Sequence, residues 1–291
     1  MNHYFTKNNH LCHSYQAGDC TLSDLQFTSD DHGIKAALVG NCTKPTAVFP
    51  DYPDLVFRAA QFHVHISCEH HIDGKGCDAE LHIVHFSTNT DMNDPTTVQA
   101  AVIGMMIDKS ALEPHDTMDE LLDCWSENHN EFVRKCNPDS CDVSSRYLDS
   151  NTTCADGAFD AYSLIPEGTG YYHYMGGLTT PPCSQIVRWN LMDTTVKVTL
   201  LQWTKLANLI LGFGGSVGDD GTCHLEHTVA SKTGSTSRVP RPINGRALTH
   251  SCNAFISSRM SAKRNHWQSW PLCSKISRAL FSFWPIYNIV C

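Results

Sequence analysis

The most constraining feature of this chain is a pair of short segments that alternate apolar residues with histidine. Phe62-His63-Val64-His65-Ile66 does so strictly, and Glu80-Leu81-His82-Ile83-Val84-His85-Phe86 nearly does. Alternation at period 2 marks β-strands, whose side chains fall on one sheet face at every second residue. The segment between them, His71-Ile72-Asp73-Gly74-Lys75-Gly76, has turn chemistry, so the strands are expected to be antiparallel neighbours. His63 and His65 then share a face with His82 and with Glu80 two residues before it. Three imidazoles from adjacent strands can hold a zinc ion and leave the fourth tetrahedral position to water, as catalytic zinc sites do. An isolated His-x-His is weak evidence among 17 histidines, and the second strand strengthens it. His85 is expected to point to the other face as a hydrogen-bonded core residue.

The chain has 291 residues, 41% of them hydrophobic, enough for one large domain with a real core. That apolar fraction and a charged fraction of 18% exclude disordered, collagen-like and coiled-coil classes. A net charge of −9, with no basic run, argues against nucleic acid as a partner. Fourteen dispersed cysteines without a CxxC pair fit disulfides in an oxidising compartment better than a zinc ribbon. The sequons Asn41-Cys42-Thr43 and Asn151-Thr152-Thr153 point the same way. Secretion is therefore expected, although Met1–Cys20 has no apolar core of a secretory signal. No apolar run reaches the roughly 18 residues of a transmembrane helix. The short apolar tail Ala279–Val290 reads as a membrane-anchor signal, a buried strand or a readthrough artefact, so anchoring through it is the alternative localisation.

Val98–Ile107 is almost continuously apolar, the pattern of a strand covered on both faces. Over Thr117–Lys135, Met118, Leu121, Leu122 and Trp125 predict an amphipathic helix. Thr199-x-x-Gln202 is a capping box that opens a second helix to about Leu211. Asn137–Asp156 reads as a stapled surface insertion and Gly212–Ser237 as a loop. The domain division expected is a divergent segment 1–20, a catalytic domain 21–250 and a tail 251–291.

Tyr171–Trp189 reads YYHYMGGLTTPPCSQIVRW. Together with QFHVH at Gln61–His65, EHHIDG at Glu69–Gly74 and AELHIVHF at Ala79–Phe86, it resembles the α-class carbonic anhydrases, in order and spacing, over roughly Asp31 to Arg246. The resemblance implies a mainly β (α+β) single domain, built on a large, mostly antiparallel twisted sheet with short peripheral helices. It implies zinc-dependent reversible hydration of carbon dioxide to bicarbonate and a proton, by attack of zinc-bound hydroxide. His63, His65 and His82 match the zinc ligands; Gln61 and Glu80 match partners that fix the ligand rings. Thr179 matches the hydroxyl that accepts from hydroxide and donates to Glu69, and Tyr174 supports it from below. Val84, Val102, Leu178, Val187 and Trp189 match the apolar substrate wall, with Thr180 beside them. His32 aligns by offset with the proton-carrying histidine.

Some positions depart from the family. Its N-terminal aromatic cluster and Gln-Ser-Pro-Ile segment have no counterpart, and Ile66-Ser67 replaces the usual Trp-Gly. Members outside the cell tie an early cysteine to the position of Cys183, but neither Cys12 nor Cys20 aligns clearly with that partner. Two other functions remain open on the sequence. One is a non-catalytic carbonic-anhydrase-like binding or matrix protein. The other is a cupin-type metal oxygenase with Glu69 as ligand, using iron or manganese. Against the cupin, Phe57 stands where glycine is expected, and no Pro-x-Gly-x-x-His motif follows. Oligomeric state is left open.

Overall fold

The computed structural model describes residues 13–30, 33–90, 99–136, 160–166, 168–217, 223–227, 233–251 and 287–288. The strands, in chain order, are β1 (Ser14–Gln16), β2 (Leu25–Asp30), β3 (Gly33–Leu38), β4 (Thr46–Phe49), β5 (Tyr52–Ile66), β6 (Ala79–Ser87), β7 (Ala100–Asp108), β8 (Tyr171–Gly176), β9 (Val187–Met192), β10 (Val196–Lys197), β11 (Phe213–Val217), β12 (Cys223–His227), β13 (Arg241–Pro242), β14 (Thr249–Ser251) and β15 (Tyr287–Asn288). The helices are α1 (Asp116–Cys136) and α2 (Leu200–Leu211).

One large sheet runs β1-β4-β5-β6-β7-β9-β8-β14, with β3 also on β5, β2 on β3 and β10 beside β7. Its pairings are antiparallel except where β7 runs parallel to β9 and β10. The two histidine segments are the neighbours expected from their turn: β5 and β6 are antiparallel, with His63 directly opposite His82 and His65 opposite Glu80.

Strand alternation divides the apolar side chains between two faces. On the back, Phe62, Val64, Leu81, Ile83, Ala101, Ile103, Met105 and Ile107 join one large core. The face of α1 bearing Met118, Leu121, Leu122 and Trp125 and the buried side of α2 close over it. Each fully buried large apolar side chain contributes about 1.5–3 kcal/mol. On the front, Val84, Ala100, Val102, Tyr174, Val187 and Trp189 form a smaller cluster. β7 is buried on both faces, as its continuous apolar run requires.

Both helices follow their sequence signals. At α2, the Thr199 hydroxyl accepts from Gln202 N at 3.2 Å and Gln202 Oε1 accepts from Thr199 N at 3.0 Å. Gln202 Nε2 also donates to Asp119 Oδ1 at 2.8 Å, so the cap residue of α2 ties it to α1. Lys205 and Asp123 form an ion pair between the same helices.

Part of the expected loop 212–237 is instead a two-stranded antiparallel sheet, β11 with β12, pairing Phe213 with His227 and Val217 with Cys223. Phe213-Gly214-Gly215-Ser216-Val217 shows no hydrophobic alternation, because two glycines supply no side chain to either face. Backbone pairing makes the strand, and such pairing leaves little trace in a hydropathy pattern. At the chain ends, β1 pairs with β4 at the sheet edge, and β15 within the apolar tail pairs with β13. The insertion read at Asn137–Asp156 lies outside the described residues. No helix among the described residues is long and apolar enough to cross a membrane.

Candidate metal centre

The hairpin register places the His63, His65 and His82 rings in a triangle with centroids 4.9–5.0 Å apart. Which nitrogen of each ring carries the proton follows from its other contact. His63 Nδ1 lies 3.0 Å from Gln61 Oε1, an acceptor, so Nδ1–H donates and Nε2 holds the lone pair. His82 Nε2 lies 2.8 Å from Glu80 Oε1, so the lone pair is on Nδ1. His65 faces an oxygen at each ring nitrogen, the Thr236 carbonyl 3.4 Å from Nδ1 and Glu69 Oε2 3.3 Å from Nε2; with the proton on Nδ1, the Nε2 lone pair is turned toward the other two rings.

His63 Nε2 and His82 Nδ1 then face each other at 3.2 Å with neither carrying a proton. Two bare lone pairs at that distance repel unless a cation lies between them. Ligand nitrogens about 2.0–2.1 Å from a tetrahedral zinc stand about 3.3–3.4 Å apart, close to the spacing observed. His63, His65 and His82 together have the geometry to hold one ion. All three nitrogens are neutral sp² donors, a set suited to zinc. Burial, and then the neighbouring imidazoles and Lys35, hold His63 well below the usual imidazole range. Burial also lowers His82, against the opposing pull of Glu80. Both rings therefore stay in the neutral form that binds metal.

Beneath the triangle, Glu80 accepts four hydrogen bonds. Oε1 takes His82 Nε2–H and, at 2.5 Å, His70 Nδ1–H; Oε2 takes the backbone N–H groups of Glu69 and His70 at 2.9 Å each. Burial alone would raise this carboxyl, yet the His70 ring and the ring donors hold it well below the usual carboxylate range. The Tyr174 hydroxyl donates to His70 Nε2 at 2.6 Å. Gly104 sits opposite His82, where a Cβ would come within 3.3 Å of Glu80 Oε1 and 3.1 Å of Leu191 Cδ1. A side chain here would press Leu191 and Glu80 back by a few tenths of an ångström.

Glu69 Oε1 accepts from Arg238 N at 3.3 Å. Its Oε2 is buried without a hydrogen-bond partner, 3.3 Å from His65 Nε2 and 3.9 Å from His82 Nδ1. Burial pushes this carboxyl up to about 7. Thr179 is buried nearby and its carbonyl accepts from Arg238 Nη1 at 3.4 Å, but no hydrogen bond joins its hydroxyl to Glu69 among the described residues. Arg238 holds both segments through its backbone N–H and guanidinium, and the carboxylate leans toward the His65 and His82 nitrogens.

Val84, Val102, Val187 and Trp189 line one apolar cluster, with Leu178 packed against it. Trp189 Nε1 donates to the Gly177 carbonyl at 3.2 Å, which fixes the indole. The Thr180 carbonyl accepts from Cys183 N at 3.0 Å. The Tyr174 hydroxyl goes to His70, which through Glu80 adds to the support of His82. His32 lies outside the described residues.

From the sequence His70 or His71, after Glu69, reads as a brace of the turn and not as a ligand; His70 joins Glu80 and Tyr174. Three contributors to the site escaped sequence reasoning. Gly104 shows only as a glycine inside an apolar strand, a sign of close backbone approach. Thr236 and Arg238 act partly through backbone atoms about 170 residues from their partners, which no local pattern can reveal.

Cys20 is bonded to Cys42 and Cys68 to Cys77, and Cys124 and Cys183 are also disulfide-bonded. Cys20 is therefore not the partner of Cys183. These bonds are compatible with an oxidising compartment.

A family model described as eukaryotic-type carbonic anhydrase matches residues 12–252. Carbonic anhydrase 7 of Homo sapiens is 25% identical over 251 residues, covering 83% of this chain and 81% of that protein. A carbonic anhydrase of Nostoc sp. is 30% identical over 158 residues; the match covers 54% of this chain and 49%, about half, of that relative. Among solved structures, carbonic anhydrase Cah3 from Chlamydomonas reinhardtii, in complex with acetazolamide, has a TM-score of 0.54 at 19% identity, covering 83% of this chain and 82% of that one. Dioscorin complexed with ascorbate has a TM-score of 0.55 at 16% identity, covering 86% and 82%. At those identities the solved structures speak to the fold, and the family match speaks to descent. The chain belongs to the eukaryotic-type, or α, carbonic anhydrase family.

Proposed function

We propose that this chain catalyses the zinc-dependent, reversible hydration of carbon dioxide to bicarbonate and a proton. The observation that supports the reading is the convergence of the His63, His65 and His82 rings, with the lone pairs of His63 and His82 turned toward each other by acceptors on their opposite nitrogens. Zinc bound there would lower the pKa of a coordinated water to about 7, a figure that belongs to the carbonic anhydrases as the standard example of this effect.

The chain's own residues would do the rest. Val84, Val102, Leu178, Val187 and Trp189 offer carbon dioxide, which carries no charge, a dry apolar surface by dispersion. Glu69 would accept a hydrogen bond from the Thr179 hydroxyl through Oε2, once a positive charge at the imidazoles favours its ionised form. Such a bond, which forms only if the two side chains close on each other, would fix which way the Thr179 oxygen presents its lone pairs to the attacking oxygen. Thr180, next to Thr179 in the chain, is assigned to the same substrate wall. Each turnover releases a proton, and His32 is assigned to carry it outward because imidazole titrates near neutrality. The catalytic unit is assigned to residues 21–250, working after export to an oxidising compartment.

The reading is tested by stopped-flow hydration of carbon dioxide with zinc quantified in the same sample. Turnover with one zinc per chain, both lost in His82→Ala, is expected. One observation favours a second reading, a non-catalytic binding protein on the same fold: the absence of a Thr179–Glu69 hydrogen bond among the described residues. Stoichiometric zinc without turnover would select it. Family membership removes the cupin-type oxygenase.

A further inference from the structure

The loop between the ligand strands β5 and β6 carries Glu69 and His70, and a disulfide closes it. Cys68 and Cys77, with Cα atoms 5.2 Å apart, flank both residues and the exposed turn 73–76. Outside the bridge, the hairpin continues with Ser67 N donating to the Asp78 carbonyl at 3.0 Å. Inside it, the turn closes on itself through Ile72 and Lys75, at 3.1 and 2.9 Å. The backbone N–H groups of Glu69 and His70 both rest on one oxygen, Glu80 Oε2. The other oxygen of the same carboxylate holds the ligand His82. Movement of the Glu69–His70 backbone is thereby transmitted to a ligand ring through a single carboxylate.

The entry to this loop is conformationally unfavourable. Ser67 has φ 67°, the left-handed region that a residue with a Cβ resists, and the bridge begins one residue later. The bridge ties the segment down immediately after that position.

We propose that the Cys68–Cys77 disulfide is a positioning element of the site, holding the Glu69–His70 backbone on Glu80 and, through Glu80, the orientation of His82. The effect on turnover rests on the hydratase reading above; the effect on the loop does not.

The test compares Cys68→Ser/Cys77→Ser with Cys20→Ser/Cys42→Ser, which opens a bridge elsewhere, in the full-length chain with and without zinc. In the first variant, amide exchange at Glu69 and His70 should accelerate about tenfold or more while β7 amides keep their wild-type rates. Zinc affinity should fall about 10- to 100-fold, as when a ligand's hydrogen-bond partner is disturbed. kcat should fall with KM unchanged. In the second variant none of these should change. If the serine pair does not fold, the exchange is read on wild-type protein treated with a trialkylphosphine. That reagent gives two electrons to each disulfide and takes oxygen from water, leaving two thiols and a phosphine oxide. Unchanged exchange at Glu69 and His70, or equal acceleration across the sheet in both variants, would overturn the proposal. A wild-type chain without turnover would count against the hydratase reading alone, since the exchange comparison would still stand.

Discussion

His82 and His85 lie three residues apart on β6, both essentially inaccessible to solvent, and they have opposite fates. On the front face, His82 donates through Nε2 to Glu80 and turns an unprotonated Nδ1 toward His63. On the back face, His85 meets the Ile83 and Ala101 carbonyls through Nδ1 at 3.0 and 3.3 Å, and the Tyr162 hydroxyl through Nε2 at 2.7 Å. One ring has a lone pair aimed at another lone pair; the other has both nitrogens answered by protein. Burial therefore does not distinguish a metal ligand from a core histidine. The hydrogen-bond pattern does, because a buried donor or acceptor left unmatched needs an explanation.

The largest expected effect separates these two residues. His82→Ala should reduce bound zinc from one per chain to near zero and hydration below about a thousandth of wild type, as loss of an essential metal ligand would. His85→Ala should keep stoichiometric zinc and cost about 2–4 kcal/mol of stability, from a cavity and an unmatched Tyr162 hydroxyl. Metal analysis and denaturant unfolding of both variants read the difference. Next in size is Gln61→Ala, which frees the His63 ring to rotate. Zinc affinity should weaken about 10-fold or more in a chelator competition, with little change in melting temperature.

Glu69 and the buried histidines respond to pH with opposite signs. Burial lowers His85 to about 4 and His13, also remote from the triangle, to about 3. Their folded pKa values lie below the unfolded value of about 6.5, so the unfolded chain binds more protons between these limits. The stability tied to their neutral form is complete above about pH 6.5 and is lost as pH falls toward 4 and 3. Glu69 has the opposite sign. Its pKa is raised to about 7 in the fold, so its contribution is complete below about 4.5 and lost as pH rises through 7. Metal-free protein should therefore lose several degrees of melting temperature between about pH 7 and 4. His85→Phe should flatten that slope, and Glu69→Gln should steepen the rise up to neutrality.

The smallest effect concerns the loop entrance. Ser67→Gly relieves a left-handed backbone position and should stabilise the chain by about 0.5–1 kcal/mol in thermal unfolding, with zinc stoichiometry unchanged.

Much of the front face was legible in the sequence because it is written in strand periodicity. His63, His65, Glu80 and His82 share a face by counting in twos, and the turn between them fixes their pairing. The capping box at Thr199 and Gln202 was equally local. Less legible were features whose partners lie far along the chain. The Thr236 carbonyl behind His65, the parallel pairing of β7 with β9 and the hydroxyl of Tyr174 on His70 all depend on the closed sheet. The β11–β12 hairpin was read as loop because glycine backbones pair without writing an apolar pattern.

Nitrogens of His63, His65 and His82 lie close enough to share one ion, and the most direct measurement of whether they hold zinc is zinc titration of metal-free protein by calorimetry. Wild type and His85→Ala should bind one zinc per chain, and His82→Ala should show no stoichiometric uptake. Equal zinc uptake by His82→Ala and wild type, or no uptake by folded wild type, would contradict a zinc centre at these three residues.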